Sequence, residues 1–472
     1  MARCCRAGVS FTLRPYQQEA VERVRLAFMA GHRAVLFVLP TGGGKTVVFS
    51  HIAEQAAARG NRIAVLVHRA ELLDQACRSL AAMGVRHGVI AAGRSMNLAA
   101  PVQVASVQTL ARRLAQLPAD LFQLLVVDEA HHSNAGTWAK VIGHFDRALL
   151  LGVTATPVRG DGRGLGEFYS ALVLGPSAAW LSAEGYLAPA RVFAPPLGFS
   201  VKDLRRRMGD FDLRQAAGEL GGSRILGDAV SHYLSHLSGR TAIAFCCSIA
   251  HAQAVAEAFS GRGVAAASID GSMDTLQRRR LLEQLGSGEL QVLTSCSLIG
   301  EGVDVPSVGG CLLLRPTQSL ALHLQMIGRC LRPQPGKEAV ILDHVGNIER
   351  LGHHLDEQEW SLDGVRRREQ SKAPSVKTCP ECFCAMASAV SLCPECGHQF
   401  RPEKRQLVTV AGELTELSQQ ELRRQRKREQ SQARTAEQLE ALGAQGGMKN
   451  PKGWARHVIA SRQTRGRWGL LA

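Results

Sequence analysis

Between residues 11 and 155, short apolar runs alternate with stretches whose apolar positions recur every three to four residues. The runs at 34–39, 62–68, 102–105, 123–127 and 149–153 are too short for helices. They are apolar at nearly every position, the pattern of strands buried on both faces. Strands alternating with amphipathic helices predict a parallel sheet with helices on both sides. A second block repeats the pattern, with runs near 241–246, 265–269, 290–294, 309–314 and 338–342. A charged, glycine-rich stretch from Arg159 to Gly166 follows the first block, and from about residue 351 the periodicity dissolves into charge. The expected organisation is therefore α/β. One lobe covers 11–185 and a second 221–350, joined by a connecting region at 186–220. A small module at 376–400 and a basic, partly helical tail at 401–472 follow, with a polar helix expected from Gln419 to Leu442.

Composition narrows this picture. The chain has 472 residues, 45% of them apolar, enough for two or three domains with real cores. Its formal charge of +15 points to a polyanionic partner. The tail holds 15 Lys/Arg against 7 Asp/Glu and so carries +8 of that charge. Met-Ala-Arg-Cys-Cys-Arg is not followed by the apolar segment of a signal peptide, and no apolar run approaches the length of a membrane span. A reduced, cytoplasmic protein, bacterial or phage-encoded, is expected. The thirteen cysteines then suggest a metal site rather than disulfides.

The first apolar run leads into Pro40-Thr41-Gly42-Gly43-Gly44-Lys45-Thr46. Glycines allow a tight turn whose backbone N–H groups wrap phosphates. Lys45 can reach β/γ-phosphates and the Thr46 hydroxyl can ligate Mg²⁺. Leu39 stands where the strict phosphate-loop pattern has glycine. The run at 123–127 ends in Asp128-Glu129-Ala130-His131, supplying one carboxylate for the metal and one to activate water. Later, Cys379-x₂-Cys382 and Cys393-x₂-Cys396 form two knuckles ten residues apart, matching closed four-thiolate Zn²⁺ coordination. Cys384 and His398 are spare donors.

These motifs, with others in the same order, resemble the superfamily 2 helicases, DEAD/DEAH-box type, over roughly residues 11–345. Leu13-Arg14-Pro15-Tyr16-Gln17 resembles the adenine-reading motif, Val67 to Gln75 motif Ia, and Ser106-Val107-Gln108-Thr109-Leu110 motif Ib. Asp128 to His131 is a DEAH-like box. Thr154-Ala155-Thr156 resembles the coupling motif III, and Gly302-Val303-Asp304 motif V, with Gly300 where the family has a hydroxyl residue. Gln325 to Pro333 resembles motif VI. The resemblance implies two tandem RecA-like P-loop lobes that hydrolyse ATP in the cleft between them. It implies that Arg14, Gln17, Thr41 to Thr46, Gly302 and Asp304 hold nucleotide, and that Arg69, Gln108 and Thr109 meet nucleic acid. Thr154, Thr156 and His131 would couple the two sites. Gln325, Arg329 and Arg332 would complete the catalytic site from the second lobe, the arginines as fingers.

His131 and Gln325 depart from the RNA-remodelling branch. Arg315-Pro316-Thr317-Gln318 followed by motif VI resembles the branch of DNA-repair and restriction motors. The resemblance thus favours DNA over RNA as partner, with proteins as further partners of the cysteine module and tail. An ATP-dependent DNA helicase or translocase is the leading reading. A nucleotide-gated binding switch, an RNA helicase and the motor of a restriction system remain alternatives. No Asp follows Asp363, which argues against a fused C-terminal nuclease. Arg423 to Arg428, Gly453-Trp454-Ala455-Arg456 and Arg465-Gly466-Arg467-Trp468 interleave basic and aromatic residues, suited to phosphate neutralisation and base stacking.

Overall fold

A computed structural model of the chain describes residues 12–132, 136–159, 163–194, 204–207, 210–220, 223–296, 308–364, 376–400, 429–430, 432–433, 435–445 and 450–468. The first lobe is built on β1 (Ala34–Val38), β2 (Ile63–Val67), β3 (His87–Ile90), β4 (Val102–Ser106), β5 (Leu124–Asp128), β6 (Leu149–Thr154) and β7 (Ala171–Leu174). Their order is β3-β4-β2-β5-β6-β1-β7, all parallel. Val35, Leu36, Phe37, Ile63, Val65, Leu66 and Val126 are fully buried. Each such side chain contributes about 1.5–3 kcal/mol, enough to offset the roughly 1–2 kcal/mol of backbone entropy lost per ordered residue. Each of the five apolar runs carries a strand. The other two strands, β3 and β7, lie at the sheet edges, are partly exposed and lack a continuous apolar signature.

The second lobe combines β8 (Ala190–Phe193) with β11 (Ala242–Cys246), β12 (Ala266–Ile269), β13 (Val292–Ser295), β14 (Gly310–Leu314) and β15 (Ala339–Asp343). Its order is β12-β13-β11-β14-β15-β8, again all parallel. The stretch expected as a connector therefore supplies an edge strand of the second sheet, with Ala190 opposite Ala339. A two-residue hairpin, β9 (Arg206–Arg207) and β10 (Asp210–Phe211), lies in the same stretch.

After the helix Asn347–Leu351 the chain returns to lobe one. Gly166 N–H donates to Leu362 O at 2.9 Å, Arg163 bridges Gly364, and Trp360 and Leu362 pack on the lobe-one core. A Cβ on Gly164 would run into the Leu362 carbonyl, so this crossing requires glycine there.

The cysteine module pairs β16 (Val376–Thr378) with β17 (Ala385–Ala387) and docks on β8. Ala194 N–H donates to Phe383 O at 2.9 Å and Arg191 pairs with Glu395 at 3.0 Å. Cys379, Cys384, Met386 and Cys393 share a core with Phe193, Val340 and Leu342, so the module extends lobe two.

Pro402–Ala472 separates from the rest of the chain as a second unit, in which only part of the residues is described. Its helices Ala436–Gln445 and Pro451–Trp468 close on Ala433, Leu439, Ala455 and Val458. The first part of the expected helix, 419–428, lies outside the described residues. No described helix is long and apolar enough to cross a membrane.

Candidate ATP site and cysteine centre

The phosphate-loop motif leaves the carboxyl end of β1, one strand in from the β7 edge of the first sheet, and open parallel sheets place ligands at the carboxyl ends of their strands. Gly42 and Gly44 take φ of +88° and +91°, a region that side-chain-bearing residues avoid. Gly44 caps the helix Lys45–Ala58, whose first-turn N–H groups and dipole favour an anion. The Lys45 ammonium donates to Leu39 O at 3.3 Å. Burial lowers its pKa. Asp128 and Glu129 oppose that shift, while Arg329 and Arg332 add to it. The Thr46 hydroxyl accepts from the Gln75 amide at 3.4 Å.

Strand order brings the acidic motif to the same edge. β5, β6 and β1 are adjacent, with Asp128 opposite Val153 and Val38 opposite Thr154. Asp128 and Glu129 are both buried. Glu129 has φ of +53°, a conformation that costs about 1–3 kcal/mol and clusters at functional sites. Its N–H donates to Asp128 Oδ1 at 3.0 Å. Burial raises the Asp128 pKa to about 7. The neighbouring Glu129 charge adds to the shift and Lys45 opposes it. Such a carboxyl ionises fully when a cation joins it, which suits a metal ligand. His131 Nδ1 lies 3.4 Å from Glu129 Oε2 and 3.3 Å from the Thr154 hydroxyl. Thr154 Oγ1 donates to Thr156 O at 2.9 Å and lies 3.2 Å from the Thr156 N–H. A continuous polar path therefore runs from Glu129 to the coupling motif.

Lobe two closes on this edge. The helix Leu320–Ile327 carries the buried Gln325 and ends at Gly328. A Cβ on Gly328 would sit 2.5 Å from Thr41 Cβ, so the helix end can rest on the phosphate loop only as glycine. Arg329 is buried and Arg332 half-buried. Ala188 N–H donates to Leu331 O at 2.8 Å, fastening the connector to the arginine turn. On the far side of the cleft, Arg278 of lobe two pairs with Glu71 of lobe one at 2.7 Å.

Arg14 and Gln17 stand over the loop. Gln17 Oε1 accepts from Arg14 N–H at 3.0 Å, and its amide meets Gly44 directly. Sequence reasoning missed the aromatic wall here. The Tyr16 hydroxyl donates to Gly43 O at 2.8 Å. Its ring lies 4.9 Å from Tyr186 and 5.9 Å from the half-exposed Trp180, and Arg14 covers Tyr186 at 4.8 Å. Aromatics make up only 5% of the chain, so Trp180 and Tyr186, six residues apart, were the available signal.

Arg69, Gln108 and Thr109 gather elsewhere, at the carboxyl ends of the neighbouring strands β2 and β4. Arg69 Nε donates to His68 Nε2 at 3.3 Å and the Gln108 amide to His68 O at 3.2 Å. Gly302 and Asp304 lie outside the described residues.

In the cysteine module the sulfurs of Cys379, Cys382, Cys393 and Cys396 all lie within 4.8 Å of one another. The pairs Cys379–Cys396 and Cys382–Cys393 are 3.6 Å apart. A tetrahedron with metal–sulfur bonds of about 2.3 Å has edges of about 3.8 Å, so the four fit one Zn²⁺. Burial opposes ionisation of Cys393, but backbone N–H groups of Cys396 and Glu395 outweigh it and its pKa falls to about 7. Cys384 is not one of the four; its thiol lies 3.9 Å from Ala385 O and interacts with Cys393.

Fold and site together define a P-loop ATPase built of two parallel-sheet lobes. Residues 10–159 match the family model described as type III restriction enzyme, res subunit, and 226–334 the helicase conserved C-terminal domain. A 51.5 kDa protein of a Lactococcus phage is 32% identical over 81% of this chain and 82% of its own length. A protein named as the ATP-dependent helicase Irc3 of Saccharomyces cerevisiae is 29% identical over 73% of this chain. The chain spans about half of that yeast relative, 52%. Among solved structures, a fragment named as the HsdR subunit of a type I restriction enzyme from Vibrio vulnificus superposes with a TM-score of 0.58. It is 23% identical and covers 72% of this chain and 65% of its own. The type ISP restriction-modification enzyme LlaBIII, bound to DNA, gives 0.54 at 18% identity over 71% of this chain and 28% of its own. Both likenesses bear on the fold. The chain belongs to the superfamily 2 helicases, as an ATP-hydrolysing enzyme.

Proposed function

We propose that the protein is a DNA translocase or helicase driven by ATP hydrolysis between its lobes. The observation that carries this reading is the seating of Gly328 on Thr41 with Arg329 and Arg332 beside Lys45, because neither lobe alone presents a complete site. In this reading the loop from Thr41 to Thr46 cradles phosphates and Lys45 neutralises them. Asp128 and the Thr46 hydroxyl would hold Mg²⁺, which would supply positive charge against the phosphates. Glu129 orients and deprotonates water. Arg329 and Arg332 stabilise transition-state charge from lobe two, and Gln325 supports that helix. Tyr16, Trp180 and Tyr186 flank the base beside Gln17 and Arg14. His131, Thr154 and Thr156 pass the state of Glu129 towards the cleft face lined by Arg69, Gln108 and Thr109. Loss of the γ-phosphate removes the bridge between the lobes, which shifts them towards an open state. Zn²⁺ in the four-cysteine site is structural, since all four positions are protein thiolates.

DNA rather than RNA is supported by His131 and Gln325 and by relatives among restriction motors. The Leu13-Arg14-Pro15-Tyr16-Gln17 opening and the cysteine module after lobe two resemble the bacterial repair helicase RadD. That resemblance supports a role in repair or recombination. The test is ATP turnover with single-stranded, duplex and forked DNA and with RNA, beside a strand-displacement assay on the fork. Stimulation by DNA with displacement supports a helicase, and stimulation without displacement a translocase. Stimulation by RNA alone would overturn the DNA reading.

A further inference from the structure

The tail contributes none of the ATP-site residues named above, and its charge is unevenly divided. The helix Ala436–Gln445 carries Glu437 and Glu440 and no basic residue. The helix Pro451–Trp468 carries Lys452, Arg456, Arg462, Arg465 and Arg467 and no acidic one. Asn450 starts the second helix by accepting the Gly453 N–H on its side chain at 2.9 Å, and Pro451 fits the first helical position. Trp454, expected to stack on bases, instead packs inside the hairpin: a Cβ on Gly443 would lie 3.1 Å from its ring.

Length matters as well. At 1.5 Å per residue the basic helix is about 27 Å long and its partner about 15 Å. The hairpin core is made from Ala455, Val458 and Ile459 in the first half of the longer helix. In sequence the second half of the helix has no aliphatic residue larger than alanine and carries Arg462, Arg465 and Arg467. Lys452, Arg456 and His457 are exposed. The described outer positions of this helix carry no large apolar residue, which a protein interface would use as its buried anchor.

We propose that the helix Pro451–Trp468 is a second DNA-binding site, gripping the sugar-phosphate backbone without regard to sequence, separately from the cleft. The choice of DNA rests on the functional reading above, whereas the phosphate chemistry rests on the hairpin alone. Such a site holds the enzyme on its track while the lobes change their grip.

The test uses the full chain with K452Q, R456Q, R462Q, R465Q and R467Q combined. Affinity for duplex DNA is followed by fluorescence anisotropy from roughly 50 to 200 mM salt. Five lost phosphate contacts at about 0.9 each should flatten the logarithmic salt slope by about 4.5 and weaken binding at low salt more than tenfold. ATP turnover at saturating DNA should match the parent, because none of the five residues belongs to the ATP site. A companion with R456K, R462K, R465K and R467K keeps the charge and should keep the parent slope. Unchanged affinity and slope in the glutamine variant overturns the proposal, as does a lysine variant that behaves like it. A parent that binds DNA without ATPase stimulation would refute the motor reading alone, since the salt slopes still test the helix.

Discussion

The two lobes share one architecture and divide one reaction. Each is a parallel sheet with fully buried central strands, and each presents a functional helix near its carboxyl edge. Lobe one opens that helix with glycines in left-handed conformation and buries two carboxylates beside Lys45. Lobe two ends its helix in a glycine flat enough to touch the loop and follows it with two arginines. Their buried titratable groups also differ. Lobe one holds Asp128 with a pKa raised to about 7. Lobe two has a buried carboxyl of the same kind in Asp343, but it also holds His251 and His323 near 4 and His344 near 3, all lowered first by burial. One scaffold therefore supports opposite chemistries, because the sheet supplies stability while the loops at its edge supply function.

The sharpest way to separate the lobes is Arg332→Ala. An arginine acting on the transition state from the opposite lobe should cost roughly a thousandfold in turnover while ATP still binds. Glu129→Gln should cost about a hundredfold or more from the other side, again with ATP retained. Single-turnover hydrolysis and nucleotide-binding measurements distinguish the two effects. Lost ATP binding with normal turnover at saturation in Arg332→Ala would remove lobe two from the chemistry.

Metal loss should strike one lobe only. Protein purified without chelator should contain about one zinc per chain, and Cys382→Ser should release it. Cys379, Cys384 and Cys393 share a core with Phe193 and Leu342, so hydrogen exchange should rise across β8 and β15 and not across β1 or β5. Full zinc content in the variant would refute the ligand set.

Acid should loosen lobe two first, because its three buried histidines outnumber Asp343, the buried carboxyl there whose pKa burial raises. A histidine with lowered folded pKa contributes stability above about 6.5 that is lost as pH falls towards 4. At pH 5 the loss is about 2 kcal/mol for each fully buried histidine. Asp128 behaves oppositely. Its raised pKa makes the folded state bind the proton more tightly, so without Mg²⁺ its penalty fades as pH drops from 7 towards 4. Hydrogen exchange at pH 7 and pH 5 should show lobe two loosening first. Earlier loosening of β1 and β5 would contradict this.

The smallest effect is expected at the aromatic wall. Trp180→Ala should weaken ATP binding two- to tenfold, the scale of one aromatic contact, and leave turnover at saturation unchanged. Equal weakening of ATP and of a triphosphate lacking a purine base would place Trp180 outside the base pocket.

The central strands were legible because burial on both faces demands continuous apolar runs, and β1, β2, β5, β11, β14 and β15 have them. Of the edge strands, β12 was read at 265–269, whereas β3, β7 and β8 were not, because half-exposed strands tolerate polar and small residues. The glycine loop, the acidic box and the paired cysteines were legible for a different reason. Their chemistry requires particular residue types at short, fixed spacing. Trp454 was misread as a base-stacking group because sequence shows an aromatic among arginines and not the Gly443 it covers.

The sequence by itself determined the two sheets, the phosphate loop, the carboxylates, the arginine pair and the thiolate set, since each is a local pattern. Tertiary structure alone decided what those patterns meet. It set Thr154 between Asp128 and the loop through strand order, and Gly328 on Thr41 through lobe closure. It also placed the cysteine module on β8 and Trp180 beside Tyr16. Contacts between residues hundreds of positions apart depend on how sheets twist and lobes pack, and no window of sequence encodes that distance.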